Sequence, residues 1–221
     1  VESPSQALVE LLGVVAYGEL AGFFRISADA ELAPTLAESI KMAELAAIEF
    51  RHYTLISSHL QSLGIEPERA MAPFVGVFSA YHDRTKPADW FEGLVKAYVG
   101  DSIASDFYLE IANLLPDESK EVILKTADSS IHMEFAVSTL MAAMAHDPRL
   151  RSRLALWARR LVGEAIAQAQ QLAATHEGLF DLINGSNGGT SEEFVGLDLG
   201  RVFIRLTENH THRMQRLGLA V

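Results

Sequence analysis

Residues 43–59 read A-E-L-A-A-I-E-F-R-H-Y-T-L-I-S-S-H and set Glu49 and His52 one helical turn apart. Residues three apart share a face of an α-helix. Met42, Leu45, Ile56, Leu60 and Leu63 fall on that same stripe, so the carboxylate and the imidazole point toward a core. Unpartnered polar groups there are costly, and coordination of a cation is one way to remove the cost. A single Glu-x-x-His is a weak signal; its weight depends on what the neighbouring helices bring to the same layer.

Upstream, a long helix is expected from Pro4, because Leu8, Leu12, Val15, Glu19, Phe23 and Ile26 recur at intervals of three and four, with Ser3 or Ser5 as cap. Glu19 sits inside that apolar row. Ala33-Pro34-Thr35 resets the chain, Thr35 and Glu38 match a capping box, and the helix of Glu49 and His52 runs to about Leu63 before Gly64 stops it.

Residues 65–87 hold three prolines, Gly76 and the apolar cluster Phe74, Val75, Val77 and Phe78, which reads as an irregular crossover with one short helix. A connection that long lets the third helix run parallel to the second, the single-crossover order of ferritin-like bundles. Helical periodicity resumes over Ala88–Leu115, with Leu94, Tyr98, Asp101, Tyr108, Ile111 and Leu115 on one face. Asp101 thus takes the place that Glu19 had; Asp106 lies on a less uniformly apolar row and is the second choice. A fourth helix is expected from about Asp117 to His146, where Leu124, Asp128, His132, Phe135 and Thr139 share a stripe. Similar spans separate Glu19 from His52 and Asp101 from His132, so the second half repeats the first.

Arg149, Arg151, Arg153, Arg159 and Arg160 open a fifth helix reaching about Thr175. Such a run reads first as a solvated face or a partner of acidic helices, and second as a phosphate-binding patch. Asn184–Gly189 is a loop, and a final helix from about Glu192 to Leu217 carries His210 and His212, read as surface groups. Gly13, Gly18 and Gly22 follow no strand, so they suit close helix packing rather than a phosphate loop. No strand-turn-helix elbow supports a hydrolase triad.

The 221 residues are 49% hydrophobic, enough for one domain over 1–221, with a core bundle at about 5–146 and C-terminal helices at about 149–217. A net charge of -11 opposes non-specific binding to nucleic acid or an anionic membrane. The absence of cysteine excludes disulfides, thiolate metal sites and a cysteine nucleophile. The start lacks a basic signal-peptide region and the apolar stretches are broken by charge, so a cytoplasmic chain without a membrane span is expected.

The inward groups are therefore Glu19, Glu49, His52, Asp101, Asp128 and His132, from four long helices of an all-α bundle. Carboxylates and imidazoles suit iron or manganese. Four carboxylates and two divalent ions make a formally neutral shell, which offsets the burial of ionisable groups. A repeated Glu-x-x-His would need an acid at position 129, which is Ser129; Asp128 lies four residues before His132 instead.

The arrangement resembles the ferritin-like di-iron carboxylate superfamily. Within it, the segments E-L-A-G-F-F-R-I, A-E-L-A-A-I-E-F-R-H-Y, K-A-Y-V-G-D-S-I-A-S-D-F-Y and H-M-E-F-A-V resemble a bacterial family similar to the tRNA 2-methylthio-N6-isopentenyladenosine hydroxylase. The resemblance implies a ferritin-like four-helix bundle with a long crossover between helices 2 and 3 and two added C-terminal helices. It also implies two iron ions, O2 and an external electron donor as partners, and hydroxylation of an unactivated C–H bond. Tyr17, Tyr98, Phe107 and Tyr108 are candidates for the cavity wall. The substrate is left open between tRNA and a small apolar molecule. Ferroxidase or peroxide-reducing chemistry and a metal-free structural or binding role are the alternatives, and a homodimer is expected from the apolar content alone.

Overall fold

The computed structural model describes residues 4–127, 133–176, 178–179 and 199–219, and all the regular structure among them is helical. The helices are α1 (Gln6–Asp29), α2 (Leu36–Ser62), α3 (Pro67–Met71), α4 (Val75–Arg84), α5 (Trp90–Ala112), α6 (Asp117–Thr126), α7 (Glu134–Met144), α8 (Pro148–Thr175) and α9 (Leu199–Arg216), with 3-10 turns at Ala30–Leu32 and Ala72–Phe74. Asn184–Gly189 and the expected start of the last helix lie outside the described residues.

The helix boundaries follow from local chemistry. Ser5 caps α1 by accepting the Leu8 N–H at 3.2 Å, and Thr35 caps α2 by accepting the Glu38 N–H at 3.2 Å. The Thr35 hydroxyl in turn donates to the Glu38 carboxylate at 2.7 Å. α2 ends at Gly64, whose φ of +74° places it in the left-handed region, and the Ile65 N–H closes back onto the Leu60 carbonyl at 2.9 Å. Asp89 caps α5, and Asp147 caps α8 just before Pro148.

α1 and α2 run antiparallel, because Glu19 meets His52 and Gly22 meets Glu49. α1 and α5 are also antiparallel, since Gly93 faces Asp29 while Tyr108 meets Glu19. α2 and α5 are therefore parallel, which requires the long crossover. That crossover is more ordered than expected: residues 65–87 form α3 and α4 joined by a 3-10 turn. Its anchor is Phe74, fully buried against the α1 end of the core.

The single fourth helix expected over Asp117–His146 is corrected to two helices, α6 and α7. α6 stops at Thr126, whose hydroxyl bonds its own chain at the Ile123 carbonyl (2.8 Å), and Ala127 is a bend. The stretch Gln6–Leu32 is long and apolar enough to cross a membrane by length and composition, although Glu10, Glu19 and Arg25 interrupt it. Half of its most apolar window is buried inside the fold.

The core forms two apolar clusters. One gathers Ile26, Met42, Leu45, Leu94, Leu140 and Leu154; the other gathers Leu11, Leu12, Ile56, Leu60, Phe74 and Ile111. On α1, α2 and α5 the gap between the clusters is where Glu19, Glu49, His52 and Asp101 stand.

At Gly13 the backbone of α1 comes so close to α3 that a Cβ would lie 2.3 Å from the Ala70 carbonyl oxygen, whereas a Cβ at Gly163 would meet nothing within 4 Å. Gly13→Ala is expected to destabilise the chain by about 1–3 kcal/mol in chemical denaturation. Gly163→Ala is expected to stabilise it by roughly 0.5–1 kcal/mol.

Candidate metal centre

α1 contributes Glu19, α2 contributes Glu49 and His52, and one oxygen or nitrogen from each can be chosen so that all three lie within 4.8 Å of one another. Glu19 is only 3% exposed and His52 8%. The His52 Nδ1 lies 3.2 Å from a Glu19 oxygen. The Tyr108 hydroxyl, from α5, donates to Glu19, and Glu19 and Glu49 are hydrogen-bonded to each other. A direct bond between two carboxyl groups needs a proton on one of them.

Gly22 makes room for this pair. A Cβ there would fall 2.9 Å from a Glu49 oxygen, so any larger residue would push the carboxylate aside. Asp101 stands beyond the tight triad on α5, yet its charge acts on Glu19, Glu49 and His52.

The electrostatics follow from this crowding. Burial, foremost, raises the Glu19 carboxyl from its ordinary 4.5 to about 7, and Asp101 adds to the rise while the hydrogen bonds from Tyr108 and Glu49 oppose it. Burial also pushes Glu49 well up, reinforced by the charges of Glu19 and Asp101. His52 is lowered, mainly by burial, which favours the neutral imidazole that a metal requires. Hard oxygen donors, a neutral imidazole and carboxyls that must share protons in the absence of a cation form a donor set that fits iron or manganese.

The acids of α5 part company. Asp106, the second choice on that helix, is buried and held by Arg213 of α9 through two bonds of 2.6 Å, so it is a structural ion pair. Asp128 and His132 lie outside the described residues. Phe107 and Tyr108 line the cavity beside the centre, whereas Tyr17 packs edge-on against Phe78 and Tyr98 is buried near α9; neither of these two is part of the wall.

His210 corrects an expectation. It is 3% exposed rather than on the surface, and its Nε2 has no partner among the described residues. Burial lowers its pKa to about 4. The signal was present in the sequence, because Leu206, His210 and Met214 follow one another at intervals of four. His212 is exposed, as expected. The hydrogen bond of Tyr108 to Glu19 was not foreseen, although Tyr108 is seven residues from Asp101 on the same stripe.

Part of the basic run is engaged by its neighbours. Arg153 pairs with Asp89 at 2.5 Å and Glu92 at 2.9 Å, and Arg160 donates to the Arg84 carbonyl. On α9, Arg205 pairs with Glu110 and Arg216 with Glu134.

In the metal-free protein, folding holds the Glu19 proton more tightly than the unfolded chain does. That contribution is complete below pH 4.5 and is lost as the pH rises through about 7. Glu19→Gln keeps a neutral group of similar shape. Between about pH 4.5 and 8 its stability relative to the parent chain should therefore rise, by about 3 kcal/mol, in chelator-treated samples. The titrations of histidines away from Glu19 cancel in that comparison, whereas those of His52 and Glu49, which touch it, are part of what is read; a difference that does not change with pH would refute the assignment.

A family model described as "Ferritin-like domain, actinomycetes" matches residues 3–186. No curated protein matches the chain. With most of its length covered by that model, and with the helical bundle and interior carboxylates described above, the chain belongs to the ferritin-like domain family of actinomycetes.

Proposed function

We propose that this protein is a di-metal oxidoreductase of the hydroxylase type, acting in the cytoplasm on a small apolar substrate. The observation that carries the reading is the buried Glu19–Glu49–His52 triad, whose two carboxylates, with Asp101, stand on the wall of a mainly apolar cavity of about 290 Å³. Glu19, Glu49 and His52 would hold the first ion, and Asp101, with Asp128 and His132, the second; iron is the preferred metal and manganese the alternative.

When bound, the metal pair supplies the capacity to reduce O2 with electrons from an external donor. The net reaction replaces a C–H bond by C–OH, and the second oxygen atom leaves as water after uptake of two electrons and two protons. The residues of the chain provide the setting. Glu19 and Glu49 surrender their shared proton as the cation enters, and Tyr108 fixes the orientation of the Glu19 carboxylate. The apolar wall formed by Ile103, Ala104, Phe107 and Ile111 of α5 excludes water and favours an aliphatic substrate.

The tRNA-hydroxylase resemblance is not carried over to the substrate. A tRNA surface needs unneutralised cations, and here Arg153, Arg205, Arg213 and Arg216 are each engaged by a carboxylate. A homodimer is supported by the aromatic group Phe23, Phe24 and Phe50 on α1 and α2, of which Phe24 is 53% and Phe50 44% exposed.

The double variant Glu49→Ala with His52→Ala should keep the helical circular dichroism of the parent chain. It should lose ferrous-dependent O2 uptake, followed with an oxygen electrode under a chemical reductant. Uptake at the parent rate by the folded variant would remove this site from the mechanism.

A further inference from the structure

The cavity beside the carboxylate layer is a slot. Along α1 its wall extends from Leu11 to Asp29, and along α5 from Lys96 to Ile111. At 1.5 Å per residue the α1 wall is about 27 Å long. α4 and α8 close the sides, through Phe78, Ile166 and Ala169 among others.

The two ends differ in chemistry. At the end of Leu11 the lining is aliphatic, with Ile111, Leu172 and Leu179. At the other end stand Arg25, Asp29, Tyr81, His82 and Lys96. Glu19, Glu49 and Asp101 lie between the two.

Lys96 is the unusual member of the polar end. It is 7% exposed, its ammonium donates to the Thr85 carbonyl at 2.7 Å, and it lies 5.9 Å above the Tyr81 ring. An ammonium has three N–H donors, and no described carboxylate lies within ion-pair distance of this one. The buried Nδ1 of His82 has no hydrogen-bond partner among the described residues. Further along the slot, Gln168 is 7% exposed and its buried carbonyl oxygen likewise has no partner among them.

Burial, foremost, lowers Lys96 to about 8 and His82 to about 3, and for His82 the charges of Lys96 and Arg25 add to the effect. Asp29 on α1 and Asp83 on α4 are the acids whose charges reach Lys96, and Arg25 is the other cation. Burial raises the Asp29 carboxyl, while the charges of Lys96 and Arg25 oppose the rise.

We propose that the slot binds a linear aliphatic carboxylate of the fatty-acid type, its head against Lys96 and His82 and its chain running between α1 and α5 past Glu19, Glu49 and Asp101. This narrows the apolar substrate of the reading above to a long aliphatic chain that carries a charged head, and it rests on that reading for its chemistry, although binding itself needs no metal. Lys96 and Asp101 are five residues apart on α5, about 7.5 Å along the axis. The C–H bonds presented to the carboxylate layer are therefore those of the mid-chain, not those beside the head.

The test is isothermal titration of the metal-free full chain with laurate and palmitate, each compared with the alcohol of the same length. The acids should bind at least about tenfold more tightly than the alcohols, the effect of one buried charge-assisted contact. Lys96→Met should bring the acid down to the level of the alcohol, and Ala104→Phe, which narrows the slot, should weaken both. If Lys96→Met fails to fold, the acid–alcohol difference on the native chain decides alone. Equal affinity of acid and alcohol, or no binding of either, would overturn the proposal. Iron uptake measured on the same preparation separates the two readings. Uptake without palmitate binding sinks the slot assignment alone, and palmitate binding without uptake sinks the di-metal centre alone.

Discussion

Ionisable groups buried between two apolar clusters set the terms for the rest of this bundle. Glu19, Glu49 and His52 share one small volume, and burial together with their own mutual repulsion drives the two carboxyls toward their neutral forms. The fold retains them through specific accommodations. Gly22 removes the atom that would displace Glu49, Tyr108 supplies a hydrogen bond to Glu19, and the antiparallel pairing of α1 with α2 brings the three donors to one level. A purely structural core would be better served by apolar side chains at these positions, which is the physical argument for a cation.

The long crossover and the C-terminal helices serve the same layer from outside. Phe74 anchors the crossover in the apolar cluster of Leu11, Ile56 and Ile111, and α4 presents Phe78, Tyr81 and His82 to the cavity. α8 closes the opposite side. α9 is held to α5 by Arg213 on Asp106 and Arg205 on Glu110, a contact that uses arginines which in sequence resemble a nucleic-acid surface. Those arginines are thus engaged within the fold by acids of α5.

Much of this was legible because helical periodicity is strong. The stripe through Glu49 and His52, the row holding Glu19 and the parallel relation of the second and third long helices all follow from spacing and loop length. What spacing could not convey were effects that depend on the neighbour across an interface. Asp106 is buried because Arg213 meets it, some hundred residues later; Lys96 lies on the slot because α4 leaves its Nζ a carbonyl at Thr85. His210 was misplaced because a histidine among arginines looks polar, although its intervals to Leu206 and Met214 mark it as inward. The end of α6 at Thr126, whose hydroxyl bonds the Ile123 carbonyl, is not registered by hydrophobic pattern.

The central claim is that the carboxylate layer is a dinuclear metal centre. Elemental analysis after anaerobic loading with ferrous iron and removal of loosely held metal tests it most directly. The account predicts close to two irons per chain, retained through gel filtration. A chain that emerges folded and free of iron, and of manganese when that is offered instead, would contradict it and leave the buried carboxyls as a hydrogen-bonded core.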